Sequence, residues 1–136
     1  MNEPERYKRL VEEHYAAIWS GDELRIREQI AGNFVDHAMP PGTPQGVEPV
    51  LAFSRAMRTA FPDMKVTLQT MVAEGDLVAV HATWRGTHKG EFQTFAATNK
   101  SITFDGMVFW RVDKDKIAER WAVLDTAAMM KQLQAQ

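Results

Sequence analysis

Along the first twenty residues, Tyr7, Leu10, Val11, His14, Tyr15 and Ile18 recur at three- and four-residue spacing, which predicts one apolar stripe on a helix with Pro4 in its first turn. Ser20-Gly21-Asp22 ends that helix and caps a second, short one from Glu23 to Ala31 that stops at Gly32. Asn33 to Ala38 reads as a short strand. The segment Met39 to Gly46, with three prolines and two glycines, forbids regular structure and reads as a loop. Val47 to Ala60 is a third helix, with Pro49 in its first turn and Pro62 as its stop. From Met64 the period changes to two. Lys65 to Ala73 and Leu77 to Arg85 are strands joined by the hairpin signal Glu74-Gly75-Asp76. Glu91 to Phe95 and Ser101 to Val112 form a second pair with Asn99-Lys100 near the turn. Asp113-Lys114-Asp115 leads into a last strand, Lys116 to Leu124, and Thr126 to Leu133 is a terminal helix.

Helices followed by a meander of long strands predict an α+β architecture: a curved antiparallel sheet packed by the N-terminal helices. Several strands are apolar on both faces. Val78, Val80 and Trp84 oppose Leu77 and Ala79, and Val108 and Trp110 oppose Met107 and Phe109. One face therefore packs helices, and the other lines a pocket or meets a second copy of the chain.

At 136 residues, residues 1–136 form a single domain large enough to bury a core and a pocket. The net charge of −2 and the scattered basic residues argue against a phosphate-reading surface, so no nucleic-acid partner is expected. Without cysteine there is no disulfide, thiolate nucleophile or Cys-ligated metal. The charged stretch Met1 to Trp19 is neither a signal-peptide core nor a membrane span, which makes the cytoplasm the default location and excludes a membrane partner at that end.

The chemistry-bearing candidate is Asp125, which follows the apolar stretch Trp121-Ala122-Val123-Leu124 where strand gives way to helix. In an extended chain, Glu119, Trp121, Val123 and Asp125 share one face while Arg120, Ala122 and Leu124 share the other. A carboxylate beside an indole loses hydration, its pKa rises, and it can take and return a proton. Asp is also a favoured N-cap, and Asp125 stands where the last helix starts. Both readings stay open.

Phe61-Pro62-Asp63, Ala73-Glu74-Gly75-Asp76 with Val78 and Val80, and Arg85-Gly86-Thr87-His88-Lys89-Gly90 stand in an ordered series with Arg111, Lys116-Ile117, Glu119, Trp121, Asp125 and Gln132-Leu133. With Val35-Asp36-His37 and Gly46, this series resembles the SnoaL-like polyketide cyclase family from about Tyr7 to Leu133. The resemblance implies a cone-shaped, NTF2-like fold around a central cavity, as in nuclear transport factor 2, ketosteroid isomerase and limonene epoxide hydrolase. It further implies ring closure by intramolecular aldol condensation without metal or cofactor, with the acid at the position matched by Asp125. Asn99 and Asp115 stand where members of the family carry glycine, both at turns that Asn and Asp tolerate.

The remaining candidates follow from position. His37, ending a strand before the Pro-rich loop, and His88, between two glycines, are the candidates to assist Asp125 by polarising a substrate oxygen; each also reads as a structural histidine. His81 suits a polar sheet face or a dimer contact, and His14 reads as core. Arg111 and Glu119 suit an ion pair, and Asp63 a backbone-bonding role. Trp121, Trp84, Trp110, Tyr15, Phe53 and Met107 are the candidate substrate-binding residues, with Trp121 favoured because its parity matches Asp125. No histidine pair has metal-motif spacing. The expected activity is a cofactor-independent cyclase or isomerase acting on a small hydrophobic carbonyl compound. The alternatives are a non-catalytic binding domain for such a molecule and an epoxide hydrolase or ketosteroid-isomerase-type enzyme. The apolar excess on the sheet predicts a homodimer.

Overall fold

The computed structural model describes residues 1–93 and 95–135. Helix α1 (Glu3–Ser20) opens on Asn2, whose side chain accepts from the Glu5 amide at 2.9 Å, and closes on Gly21 at φ +76°. Its buried stripe is the expected one, with Tyr7, Val11, His14, Tyr15 and Ile18 all facing the sheet side. Helix α2 (Glu23–Gln29) ends two residues earlier than its pattern predicts, because Ile30 pairs with Ile117 and opens strand β1 (Ile30–Asp36). Tertiary pairing overrides local propensity there. Helix α3 (Val47–Ala60) has the predicted bounds. It precedes β2 (Lys65–Glu74), β3 (Leu77–Thr87), β4 (Ser101–Asp113), β5 (Lys116–Leu124) and helix α4 (Thr126–Gln134).

The five strands form one sheet in the order β1-β5-β4-β3-β2. All neighbours are antiparallel except β1 and β5, so the sheet is mixed where the sequence predicts an antiparallel one. Parallel strands need a long crossover connection, and β1 is separated from β5 by α3 and the meander β2 to β4.

The expected strand from Glu91 to Phe95 does not join the sheet. Phe92 and Phe95 bridge only to each other, and Thr94 lies outside the described residues. Both edges of β4 are already taken. β3 pairs with it from Ser101 to Arg111, β5 from Gly106 to Asp113, and beyond the end of β5 the Gln132 side chain of α4 bonds both the amide and the carbonyl of Thr103, at 2.8 and 2.7 Å.

Alternation along β4 is strict. Ile102, Phe104, Val108, Trp110 and Val112 are buried against the helices, while Met107 and Phe109 are exposed on the opposite face. An irregularity in register between Arg111 and Val112 resets the phase of β5, so that Arg120, Ala122 and Leu124 stand opposite Trp110, Val108 and Gly106 on the covered face. Gly106 is required by close approach, since a Cβ there would collide with Leu124 and Trp84.

Candidate functional site

Between the helices and the covered face lies a cavity of about 390 Å³. Its apolar wall comes from Ile18 and Trp19 of α1, Val50, Phe53 and Met57 of α3, Trp84 and Phe104 of the sheet, and Met129 of α4. Trp84 and Phe104 stack at 5.2 Å, making a flat floor. Polar side chains interrupt this wall, among them Asp36 at the end of β1, Arg120 on β5, His14 and Tyr15 on α1, and Trp110 on β4, with a second carboxylate, Glu91, also on the lining.

Asp36 and Arg120 form the least exposed ion pair among the described residues, half-buried, with Nη1 at 3.1 Å from Oδ2 and 3.3 Å from Oδ1. The Pro-rich loop holds this carboxylate in place. Gln45 Oε1 accepts from the Asp36 amide at 2.7 Å, the Ala38 amide donates to Oδ1 at 2.9 Å, and the Gly46 amide donates back to Phe34. Arg120 also lies over the Trp110 indole, 5.5 Å from its centroid.

His14 faces Gln29, with Nδ1 2.9 Å from Oε1. Burial, and secondly the charge of Arg120, lower its pKa from an ordinary 6.5 to about 4, so the ring is neutral at pH 7. Burial likewise pushes the Tyr15 hydroxyl above its ordinary value and keeps it protonated. Tyr15 Oη and Trp110 Nε1 are buried and make no hydrogen bond of normal geometry among the described residues, although the indole N–H lies near enough to the hydroxyl to oppose the rise in its pKa. An orphaned buried donor costs about 1–3 kcal/mol, which a ligand oxygen would relieve.

The residues singled out from sequence divide between this cavity and other places. Tyr15, Phe53, Trp84 and Trp110 line it. Trp121 and Met107 do not: they belong to the opposite sheet face, where with Val72, Phe109 and Val123 they line a second, almost wholly apolar hollow of about 420 Å³. The predicted pairing of faces along β5 holds, but the face shared by Trp121 is the uncovered one.

Asp125 caps α4, accepting from the Ala128 amide at 3.0 Å, and is exposed to solvent. Its chain neighbours Leu124 and Thr126 line the cavity, whereas Asp125 itself does not, and the dehydration argued for it from the sequence is absent. His37 stacks on Trp121 at 4.9 Å and bonds Glu119 Oε2 at 2.6 Å. Glu119 also receives Arg111, and these two partners, His37 first, hold its carboxyl below the ordinary range. His88 is fully buried against Phe61 and takes the Thr98 amide on Nδ1. No hydrogen bond among the described residues joins Asp125, His37 and His88. His81 bonds Asp105 at 2.8 Å on the uncovered face, and Asp63 accepts both the amide and the hydroxyl of Thr87.

Sequence reasoning missed Asp36 and Arg120; its reading of His14 as core holds, since the ring is buried, and the ring also reaches the cavity wall. The available signal was the same two-residue alternation: Phe34 with Asp36, and Arg120 with Leu124, each put a charge on an apolar face. Among the described residues, no group of three or more His, Asp or Glu side chains could hold a metal ion, and no helix is long and apolar enough to cross a membrane.

Comparison with known proteins agrees with this architecture. Residues 9–133 match the family described as SnoaL-like polyketide cyclase. IdmH from Streptomyces antibioticus, described provisionally as a polyketide cyclase, is 34% identical over 95% of this chain and 99% of its own, with a TM-score of 0.82. TsrD from Streptomyces laurentii is 20% identical over 100% of both chains at a TM-score of 0.89. AclR from Streptomyces galilaeus, described provisionally as a hydroxylase, is 23% identical over 96% of this chain and 82% of its own at 0.83. The last two likenesses show the fold alone. No protein of curated function matches the chain in sequence.

Proposed function

The chain belongs to the SnoaL-like polyketide cyclase family, and on that premise we propose that it is an acid–base enzyme of cyclase or isomerase type acting on a small hydrophobic carbonyl compound. The observation that carries this reading is the half-buried Asp36–Arg120 pair in the wall of an apolar cavity that also holds the Tyr15 hydroxyl and the Trp110 N–H. Asp36 takes a proton from the carbon beside a carbonyl. The resulting enolate oxygen is stabilised by the Tyr15 hydroxyl and the Trp110 N–H, which are already in place and need no reorganisation. In a cyclase, the enolate carbon then attacks a second carbonyl of the same molecule, and the new alkoxide recovers the proton from Asp36. The proton leaves as it came, so this scheme consumes no cofactor.

The rival assignment gives the base to Asp125 on the strength of the family resemblance, with His37 or His88 assisting. The two assignments separate in a proton-exchange assay: the α-protons of 2-tetralone, a flat hydrophobic ketone, are followed by NMR in D2O. Asp36→Asn is expected to lose the catalysed exchange and Asp125→Asn, which keeps the cap, to retain it. The reverse pattern overturns the Asp36 assignment. A cavity that binds the ketone without exchange in the unaltered protein leaves the non-catalytic binding reading.

A homodimer completes the proposal. The uncovered sheet face exposes Val72, Leu77, Met107, Phe109 and Val123 together, and a second copy laid on it would remove this apolar surface from water.

A further inference from the structure

We infer that Gln29 is a positioning residue for His14: its amide oxygen holds the imidazole in the Nδ1–H form and leaves Nε2 as a bare acceptor toward the cavity, ready for the O–H of an enol or phenol. This rests on the reading above for the identity of the cavity and adds a hydroxyl to the carbonyl that reading requires.

Gln29 is the last residue of α2, and its side chain reaches His14 on α1 inside the core, with both residues buried. An amide oxygen only accepts, so at 2.9 Å the proton between them belongs to Nδ1. A neutral imidazole carries a single N–H, which puts the lone pair on Nε2. His14 stays neutral because burial and then Arg120 oppose its protonation more than Gln29 favours it.

The groups facing the ring are Gln29 from α2, Trp110 from β4, and Arg120 from β5 with Asp36 of β1 bonded to it. The indole meets the imidazole edge-on, at 5.3 Å and 77°. Among the described residues only Gln29 bonds the ring. Arg120 lines the cavity together with His14, and a cation there favours a lone pair over an N–H on the cavity side. The cavity is thereby polarised into an acceptor at His14 and donors at Tyr15 and Trp110. That is the complement of a planar, neutral compound carrying a hydroxyl and a carbonyl.

The test reads the ring directly. Two-bond proton–nitrogen NMR spectra of the full chain distinguish a protonated from a bare ring nitrogen, and His14 is assigned by the signal missing in His14→Gln. The unaltered protein is expected to show a protonated Nδ1 and a bare Nε2. Gln29→Leu should lose this fixed pattern and give a mixture of both forms. Gln29→Glu, whose carboxylate also accepts from Nδ1, should keep the pattern and move the His14 titration upward. Two probes then separate ring from cavity: 2-naphthol, which has the O–H, and 2-methoxynaphthalene, which lacks it. 2-Naphthol should shift the Nε2 signal and bind Gln29→Leu about tenfold more weakly, the loss of one well-made hydrogen bond. 2-Methoxynaphthalene should bind both proteins alike.

A proton found on Nε2 in the unaltered protein overturns the inference. So does a folded Gln29→Leu with the pattern unchanged, or 2-naphthol that fails to bind or binds without moving Nε2. Loss of the Asp36 role in the exchange assay would overturn the proposed reaction and leave this assignment of His14 standing.

Discussion

The two faces of the sheet carry similar residues and give them opposite surroundings. On β5, Arg120 and its partner Asp36 point into the covered cavity, with side chains 18% and 13% exposed. One residue earlier, Glu119 binds His37, which is 42% exposed and open to solvent on the other face. Both pair a basic side chain with a carboxylate at the same junction of β1 and β5. Only the first is enclosed by apolar walls, where a charge interaction is weakly screened and a proton transfer is shielded from water. The lesson is that enclosure here follows from which face a residue occupies, and less from its type.

The largest expected effect tests that contrast by activity. Asp36→Asn should lower catalysed α-proton exchange of 2-tetralone by about 10²- to 10⁴-fold, the usual contribution of one general base, while Glu119→Gln changes it less than about threefold. Equal losses would erase the distinction between the faces. Next comes stability in urea. Arg120→Met leaves the Asp36 charge half-buried and without its cation and should cost about 2 kcal/mol, against less than about 1 kcal/mol for Arg111→Met, whose Glu119 partner retains His37.

A similar effect should appear as pH falls. His14 binds its proton near 4 in the folded protein and near 6.5 when unfolded, so the unfolded chain holds more protons between those values. Stability is therefore complete above 6.5 and declines as pH falls toward 4, by about 3 kcal/mol in all. His14→Gln should flatten that window. Glu119 and Asp105 on the uncovered face have carboxyls held below the ordinary range by their histidine partners, so their contributions are lost only in more acidic solution. A urea midpoint that is level from pH 6.5 to 4 in the unaltered protein would contradict the neutral, buried His14.

The smallest folding effect is expected on the uncovered face. Phe109→Lys should leave stability within about 0.5 kcal/mol, since Phe109 is already half exposed, yet convert a dimer to a monomer in light scattering. A monomeric unaltered protein would show that this apolar face serves something other than a second copy.

Much of the fold was legible because its local rules agree with its tertiary ones. Helix α3 and strand β5 have the bounds their patterns predict. Asn99 at φ +59° and Asp115 at φ +62° adopt the left-handed backbone anticipated for residues standing in for glycine. Where local signals met occupied partners, they failed. Phe92 and Phe95 have strand-forming character, but β4 has no free edge to offer them.

The site was less legible for a reason of symmetry. Alternation alone sorts Trp121 from Arg120 onto different faces of β5, yet both faces are apolar, and nothing in a strand's own pattern says which one the helices will cover. Singling out Asp125 led to the Trp121 face, and Asp125 is a helix cap in solvent; the Arg120 face holds Asp36, brought beside it by a parallel strand from 84 residues earlier in the chain. The amino-acid order by itself determined the helices, the strands, their turns and the two-sided sheet, because these depend on neighbours within a few residues. Only the tertiary structure decided which carboxylate is enclosed and which histidine loses its charge, because burial is a property of what packs on top.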